Sequence, residues 1–141
     1  MKIFLDTNVL LDILIESRPN HLESTMILRA AEKGAITALL STQSIIDASY
    51  VYTQGGKKEL GPFLDALELI IGIVEVVSIS GNDIRAAVRS PFFDDFEDSA
   101  QLACSETSGC DVIITSDRKF RYYTFAPVYT PKGFCEEIFV N

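Results

Sequence analysis

Short apolar runs alternate with amphipathic stretches along the whole chain, and no other feature restricts the fold as much. Residues 2–5, 36–40, 74–78, 111–115 and 127–129 read as strands, 111–115 most clearly. Between them apolar residues recur at helical spacing. Val9, Leu10, Ile13 and Leu14 mark a helix over 8–16. Leu22, Met26, Ile27 and Ala30/Ala31 are expected inward on a helix over 22–32 capped by Asn20. Ile45, Ile46, Ser49 and Tyr52 follow a start at Ser41 or Thr42, and Leu60, Phe63, Leu64 and Leu67 lie in 57–71 with Pro62 in its first turn. Further helices are expected from Ser80 to about residue 89, around Ala100, Leu102 and Ala103, and over 131–139. Arg18-Pro19-Asn20, Gly34, Gly55-Gly56, Ser90-Pro91 and Gly109 provide the stops. With no repeat, low-complexity tract or linker, the pattern predicts one α/β domain over 1–141. It is built of βαβ units, a parallel sheet with helices on both faces.

An apolar fraction of 48% excludes a disordered chain. The most apolar stretch, 64–79, is broken by Asp65, Glu68 and Glu75, so no membrane span is expected. The run Ile3 to Leu5 is too short for a secretory leader. Cys104, Cys110 and Cys135 are odd in number and lack metal-ligand spacing, which suits small buried thiols in a reducing cytoplasm. A net charge of -8 runs against polyanion binding by bulk electrostatics, unless the acid is gathered where a divalent cation neutralises it.

The acids at strand ends and helix starts are the candidates for chemistry. Asp6 and Asp117 follow strands directly, and in a parallel sheet they emerge on the same edge, where open α/β sheets bind ligands. Asp47 and Asp98 lie in early helical turns that begin at that edge. Each also has a plain reading as a cap or first-turn acid, and Asp95 is read only as a cap. Together they repel, each pair costing roughly 4 kcal/mol at about 4 Å and an effective dielectric of about 20. A hard cation, Mg²⁺ or Mn²⁺, offsets that cost with no need of His or Cys. The one histidine, His21, is expected to be solvated.

LDTNVLLD at 5–12, SIIDASYV at 44–51, DFEDS at 95–99 and VIITSDRKF at 112–120 resemble, in order and spacing, the blocks of the PIN domain family. The resemblance covers nearly the whole chain and is nearest in pattern to the small stand-alone VapC-type toxins. It implies a three-layer αβα sandwich around a parallel five-stranded sheet and a metal-dependent endoribonuclease. The matched acids are Asp6, Asp47, Asp98 and Asp117, with Asp6 and Asp98 as the leading Mg²⁺ or Mn²⁺ ligands. Asp117 would bind a second metal or orient water, and Asn8 and Thr115 would support the acids by hydrogen bonds. Asp47 stands where many members carry Glu, one methylene longer. Asp94, Asp95 and Glu97 fall outside the matched positions.

An RNA substrate is implied, with Arg118, Lys119 and Arg121 as candidates for flanking phosphates. Phe92, Phe93 and Phe96 are candidates for base stacking, although core packing suits most of them better. A cognate antitoxin is implied too, as is a homodimer formed through 22–32 and 57–71. The alternatives are a catalytically silent PIN-fold module binding RNA or protein and, least favoured, an aspartyl phosphatase, which wants a second Asp where Asn8 stands.

Overall fold

The computed structural model describes residues 1–90, 94–124 and 126–139. Five parallel strands, β1 (Lys2–Leu5), β2 (Thr37–Ser41), β3 (Glu75–Val77), β4 (Val112–Ile114) and β5 (Val128–Tyr129), form one sheet in the order β3-β2-β1-β4-β5. Ile3 pairs with Ala38 on one side and Val112 on the other, and Leu5 with Leu40 and Ile114.

Alternation along the strands divides the core into two layers. Ile3, Leu5, Ala38, Leu40, Val112 and Ile114 point to one face. There they meet α1 (Thr7–Leu14), α2 (His21–Glu32), α3 (Thr42–Tyr52), α4 (Leu60–Ile71) and the short α7 (Pro131–Phe134) through residues such as Val9, Ile27, Ala48, Ile70 and Phe134. Phe4, Leu39 and Ile113 point to the other face and meet Leu102 and Cys104 of α6 (Phe96–Thr107), which packs on α5 (Gly81–Arg89). The result is an αβα sandwich. The crossover leaving β1 covers one face and the long crossover entering β4 covers the other. The carboxyl ends of β1 and β4 are therefore a topological switch point, where an open α/β sheet leaves a crevice.

Most elements match the sequence reading, but three helices turn different faces inward. On α2, Leu22 and Met26 are exposed, at 68% and 40%, while Ser24 and Ile27 are buried. The reason is polar: the Ser24 hydroxyl donates to the buried carboxylate of Asp12, which also takes a 2.8 Å bond from Arg18 Nε. His21, expected in solvent, is half-buried with Nδ1 2.7 Å from the Asp12 carbonyl oxygen. Asn20 takes the cap position of α2, yet its side chain reaches the Ser116 hydroxyl instead of the helix. On α3, Ser44 and Ala48 face inward and Ile46 outward; on α4, Phe63 and Ile70 are buried while Leu60 and Leu64 are exposed. The expected helix over 57–71 begins as a 3-10 turn, Lys57–Glu59, and that over 131–139 ends in a π-type turn, Cys135–Phe139. Among the described residues no helix is long and apolar enough to cross a membrane.

Candidate functional site

Asp6 is the first residue beyond β1, and its backbone N–H still bonds the Ile114 carbonyl at the end of β4. Its extended φ and ψ of -71° and 161° fit the residue before a helix, and Oδ1 accepts from the Thr7 N–H at 2.8 Å. Oδ2 accepts from the buried Thr115 hydroxyl at 2.7 Å, and that hydroxyl in turn accepts from the Asp117 N–H at 3.0 Å. The cap of α1 thus spends one carboxylate oxygen on the helix and the other on Thr115. Burial pushes the Asp6 carboxyl above its usual range. The Thr115 and Thr7 hydrogen bonds oppose this shift, and the charge of Asp117 adds to it.

Asp98 stands in the first turn of α6, half-buried. Its pKa rises to about 6, first through burial and then through the charges of Asp95, Asp6 and Asp117, with Lys119 pulling the other way. The fold therefore gathers Asp6, Asp98 and Asp117 into one electrostatic field. Asp117 also caps the turn Arg118–Tyr122 by accepting from the Lys119 N–H at 2.9 Å, and Asp95 caps α6.

Asp47 lies apart from these three, against Glu97. Oδ1 accepts from Gln43 Nε2 at 2.8 Å, and Oδ2 is buried. Glu97 is pushed up to about 8, first by its hydrogen bond with Asp47, then by burial and by the charges of Asp47, Asp95 and Asp98. Two carboxyls in contact share a proton unless a cation replaces it. No described group of three acid, His or Cys side chains is gathered closely enough to hold an ion as it stands. The donor set is nevertheless all carboxylate, as Mg²⁺ or Mn²⁺ prefers, and the Asp47–Glu97 contact is one that a cation in place of the shared proton would relieve.

Other expected residues are placed differently. Asn8 is exposed in the first turn of α1 and makes no side-chain hydrogen bond to the acids. Arg118, Lys119 and Arg121 are exposed on the turn after Asp117, and only Lys119 acts on Asp98. Phe96 is 52% exposed and so does not pack in the core; Phe92 and Phe93 lie outside the described residues.

Beneath the acids is a network that the sequence reading missed. Gln101, 1% exposed, accepts from the Ser41 hydroxyl at 2.7 Å and donates to Ser44 Oγ at 2.8 Å. Ser44 Oγ lies 2.9 Å from Thr7 Oγ1. The group ties together the starts of α1, α3 and α6, each of which carries a site acid within one turn. Its only sequence signal is the i, i+3 spacing of Asp98 and Gln101. Gln101→Leu is expected to cost about 1–3 kcal/mol, because the Ser41 and Ser44 hydroxyls each lose a buried partner and keep only one another and Thr7; urea denaturation measures it, and a loss below about 0.5 kcal/mol would contradict the network's role.

The family profile described as PIN domain matches residues 2–119. Ribonuclease VapC1 of Aquifex aeolicus (strain VF5) is 29% identical over 139 residues, spanning 96% of this chain and 94% of that protein. Among solved structures, Mycobacterium tuberculosis VapC20, described as a sarcin-ricin loop cleaving toxin, superposes with a TM-score of 0.69. It shares 15% identity over 88% of this chain and 96% of its own. VapBC2 from Rickettsia felis, bound to a promoter DNA fragment, gives 0.68 at 12% identity over 92% of this chain and 98% of that one.

Proposed function

The chain belongs to the PIN domain family, and from that premise we propose that it is a metal-dependent endoribonuclease, the toxin of a cytoplasmic toxin–antitoxin pair. The observation that carries the reading is the shared field of Asp6, Asp98 and Asp117 at the β1/β4 switch point, beside the Asp47–Glu97 carboxyl pair. Asp6 and Asp98 would hold Mg²⁺ or Mn²⁺, with Asp117 and the Asp47–Glu97 pair completing the anionic wall. Glu97 supplies the reach that the short side chain of Asp47 lacks. Bound there, the metal would lower the pKa of a water and offset charge on the phosphate oxygens. Thr115 fixes the rotamer of Asp6. Asp117 would bind a second metal or orient the attacking water. Lys119, with Arg118 and Arg121 beside it, would hold a flanking phosphate of the RNA.

An antitoxin partner is supported by the VapBC assemblies among the structural relatives. A homodimer is supported by the apolar residues left exposed on α4, Leu60, Leu64, Leu69 and Ile71, together with Leu22 and Met26 of α2.

The test is cleavage of a mixed-sequence RNA pool with Mn²⁺ or with EDTA. Asp98→Asn, prepared identically, is the control that a contaminating ribonuclease would ignore. Cutting that needs Mn²⁺ and is lost in the variant is the expected result. Mn²⁺ binding without any cutting would instead favour a PIN-fold module that binds RNA or a partner. Cutting that EDTA leaves intact would remove the metal from the reading.

A further inference from the structure

Next to the acid crevice is a cleft of about 210 Å³ walled by Gln43, Ile79, Ile84, Phe96, Glu97 and Ala100. Every wall residue comes from the active edge of the sheet: Gln43 from the start of α3, Ile79 just past β3, Ile84 from the start of α5, and the rest from the first turns of α6. Ile79 and Ala100 are buried or half-buried, whereas Phe96 and Ile84 are 52% and 40% exposed. The Phe96 ring stands at the first position of a helix, among acids and open to water. Glu97 belongs to both places, touching Asp47 and lining the cleft.

The sheet order places the parts in a row. The basic turn Arg118–Tyr122 follows β4, Asp6 follows β1, Asp47 sits on the helix after β2, and the cleft closes against Ile79 after β3. A single strand laid along this edge would meet cations, then acids, then an aromatic cleft. Gln43 fixes the polar side of that cleft. Because its partner Asp47 accepts, its NH₂ must face the carboxylate, which leaves its carbonyl and second N–H unused. An acceptor beside a donor is the edge with which Gln pairs adenine.

We propose that this cleft is a nucleobase pocket. It takes the base beside the cleaved phosphodiester by stacking on Phe96 and hydrogen bonding to Gln43, and so sets which nucleotide flanks the cut, adenine foremost. The inference rests on the ribonuclease reading. Single-stranded RNA is recognised in this way, by splayed bases on aromatic side chains with polar groups at their edges.

The experiment has two arms. In the first, a randomised RNA pool is cut in Mn²⁺ by wild type, Phe96→Ala and Phe96→Tyr, and the cut ends are sequenced. Wild type should favour one flanking base, Phe96→Ala should flatten that preference, and Phe96→Tyr should restore it. In the second, Asp98→Asn and the double variant Asp98→Asn/Phe96→Ala are titrated in EDTA with a short single-stranded RNA carrying 2-aminopurine. Quenching should report stacking with Asp98→Asn, and the affinity should fall at least about fivefold without Phe96. An unchanged flanking preference in Phe96→Ala, or equal quenching by the two proteins of the second arm, overturns the pocket. Wild type that cuts no RNA at all would sink the ribonuclease reading instead, and the quenching arm would still decide the pocket. Thermal melts verify that each variant is folded, as expected for a truncation at an exposed helix start.

Discussion

Asp6→Asn is expected to lower RNA cleavage in Mn²⁺ by about three orders of magnitude while leaving the protein folded. The substitution is isosteric, and its hydrogen bonds can be rearranged locally. The Asn carbonyl can accept from the Thr7 N–H as Oδ1 does now. Its NH₂ can donate to Thr115 Oγ1, which already accepts from the Asp117 N–H and would turn its own proton away. What is lost is the negative charge at the switch point, and no described neighbour replaces it, since Asp98 and Asp117 act on the crevice from α6 and from the end of β4. Because Asp6 is 8% exposed and burial opposes its ionised form, the neutral variant should melt no lower than wild type in EDTA. Single-turnover cleavage and a thermal melt on the same preparations check both halves. Cleavage within about tenfold of wild type would remove Asp6 from the reaction. A melting temperature well below wild type would mean that the hydrogen-bonded cap, not the charge, is what Asp6 contributes.

The two halves of that result differ in how legible they are in the sequence. Asp6 can be found because an ionisable residue ending a buried strand is rare and alternation implies a parallel sheet whose strand ends share one edge. The βαβ rhythm likewise predicts a parallel sheet with two covered faces, and the sheet and its two core layers match it. Periodicity fails where polar side chains choose the inward face. Ser24 turns α2 toward Asp12, and Ser44 turns α3 toward Gln101, leaving Leu22, Met26 and Ile46 in solvent. No hydrophobic pattern encodes those choices, because the partners lie 12 and 57 residues away in the chain. Glu97 is hidden for another reason. It sits among Asp94, Asp95 and Asp98, and only the fold shows that its carboxyl meets Asp47, far back in the chain. Asn8, singled out by its place in a block, is left exposed by the fold.

A site assembled from carboxylates at the expense of stability has a pH signature. In EDTA the protein is expected to melt a few degrees higher at pH 5 than at pH 8. Asp6, Asp98 and Glu97 all titrate above their usual range in the folded state, Asp98 at about 6 and Glu97 at about 8. In the unfolded chain they titrate near 4. From about pH 4 to pH 8 the folded state therefore holds protons that the unfolded state has released, so the slope of unfolding free energy against pH is negative. The stabilisation from these groups is complete below about pH 4 and is lost as the pH rises through 6 and then 8. Asp98 and Glu97 are partly solvated, so water screens part of the effect. The general self-repulsion of an acidic chain acts in the same direction, and Asp98→Asn separates the two contributions. The variant keeps nearly all of the net charge but loses one raised acid, so its melting temperature should depend less steeply on pH. Excess Mn²⁺ should reverse the trend for wild type, because the cation binds the ionised folded state and protons compete with it. A melting temperature in EDTA that climbs from pH 5 to pH 8, or a slope untouched by Asp98→Asn, would mean that the acids are not crowded as the structure has them. The expected pattern would instead mark the crevice as a place where folding leaves charge uncompensated for a metal to neutralise.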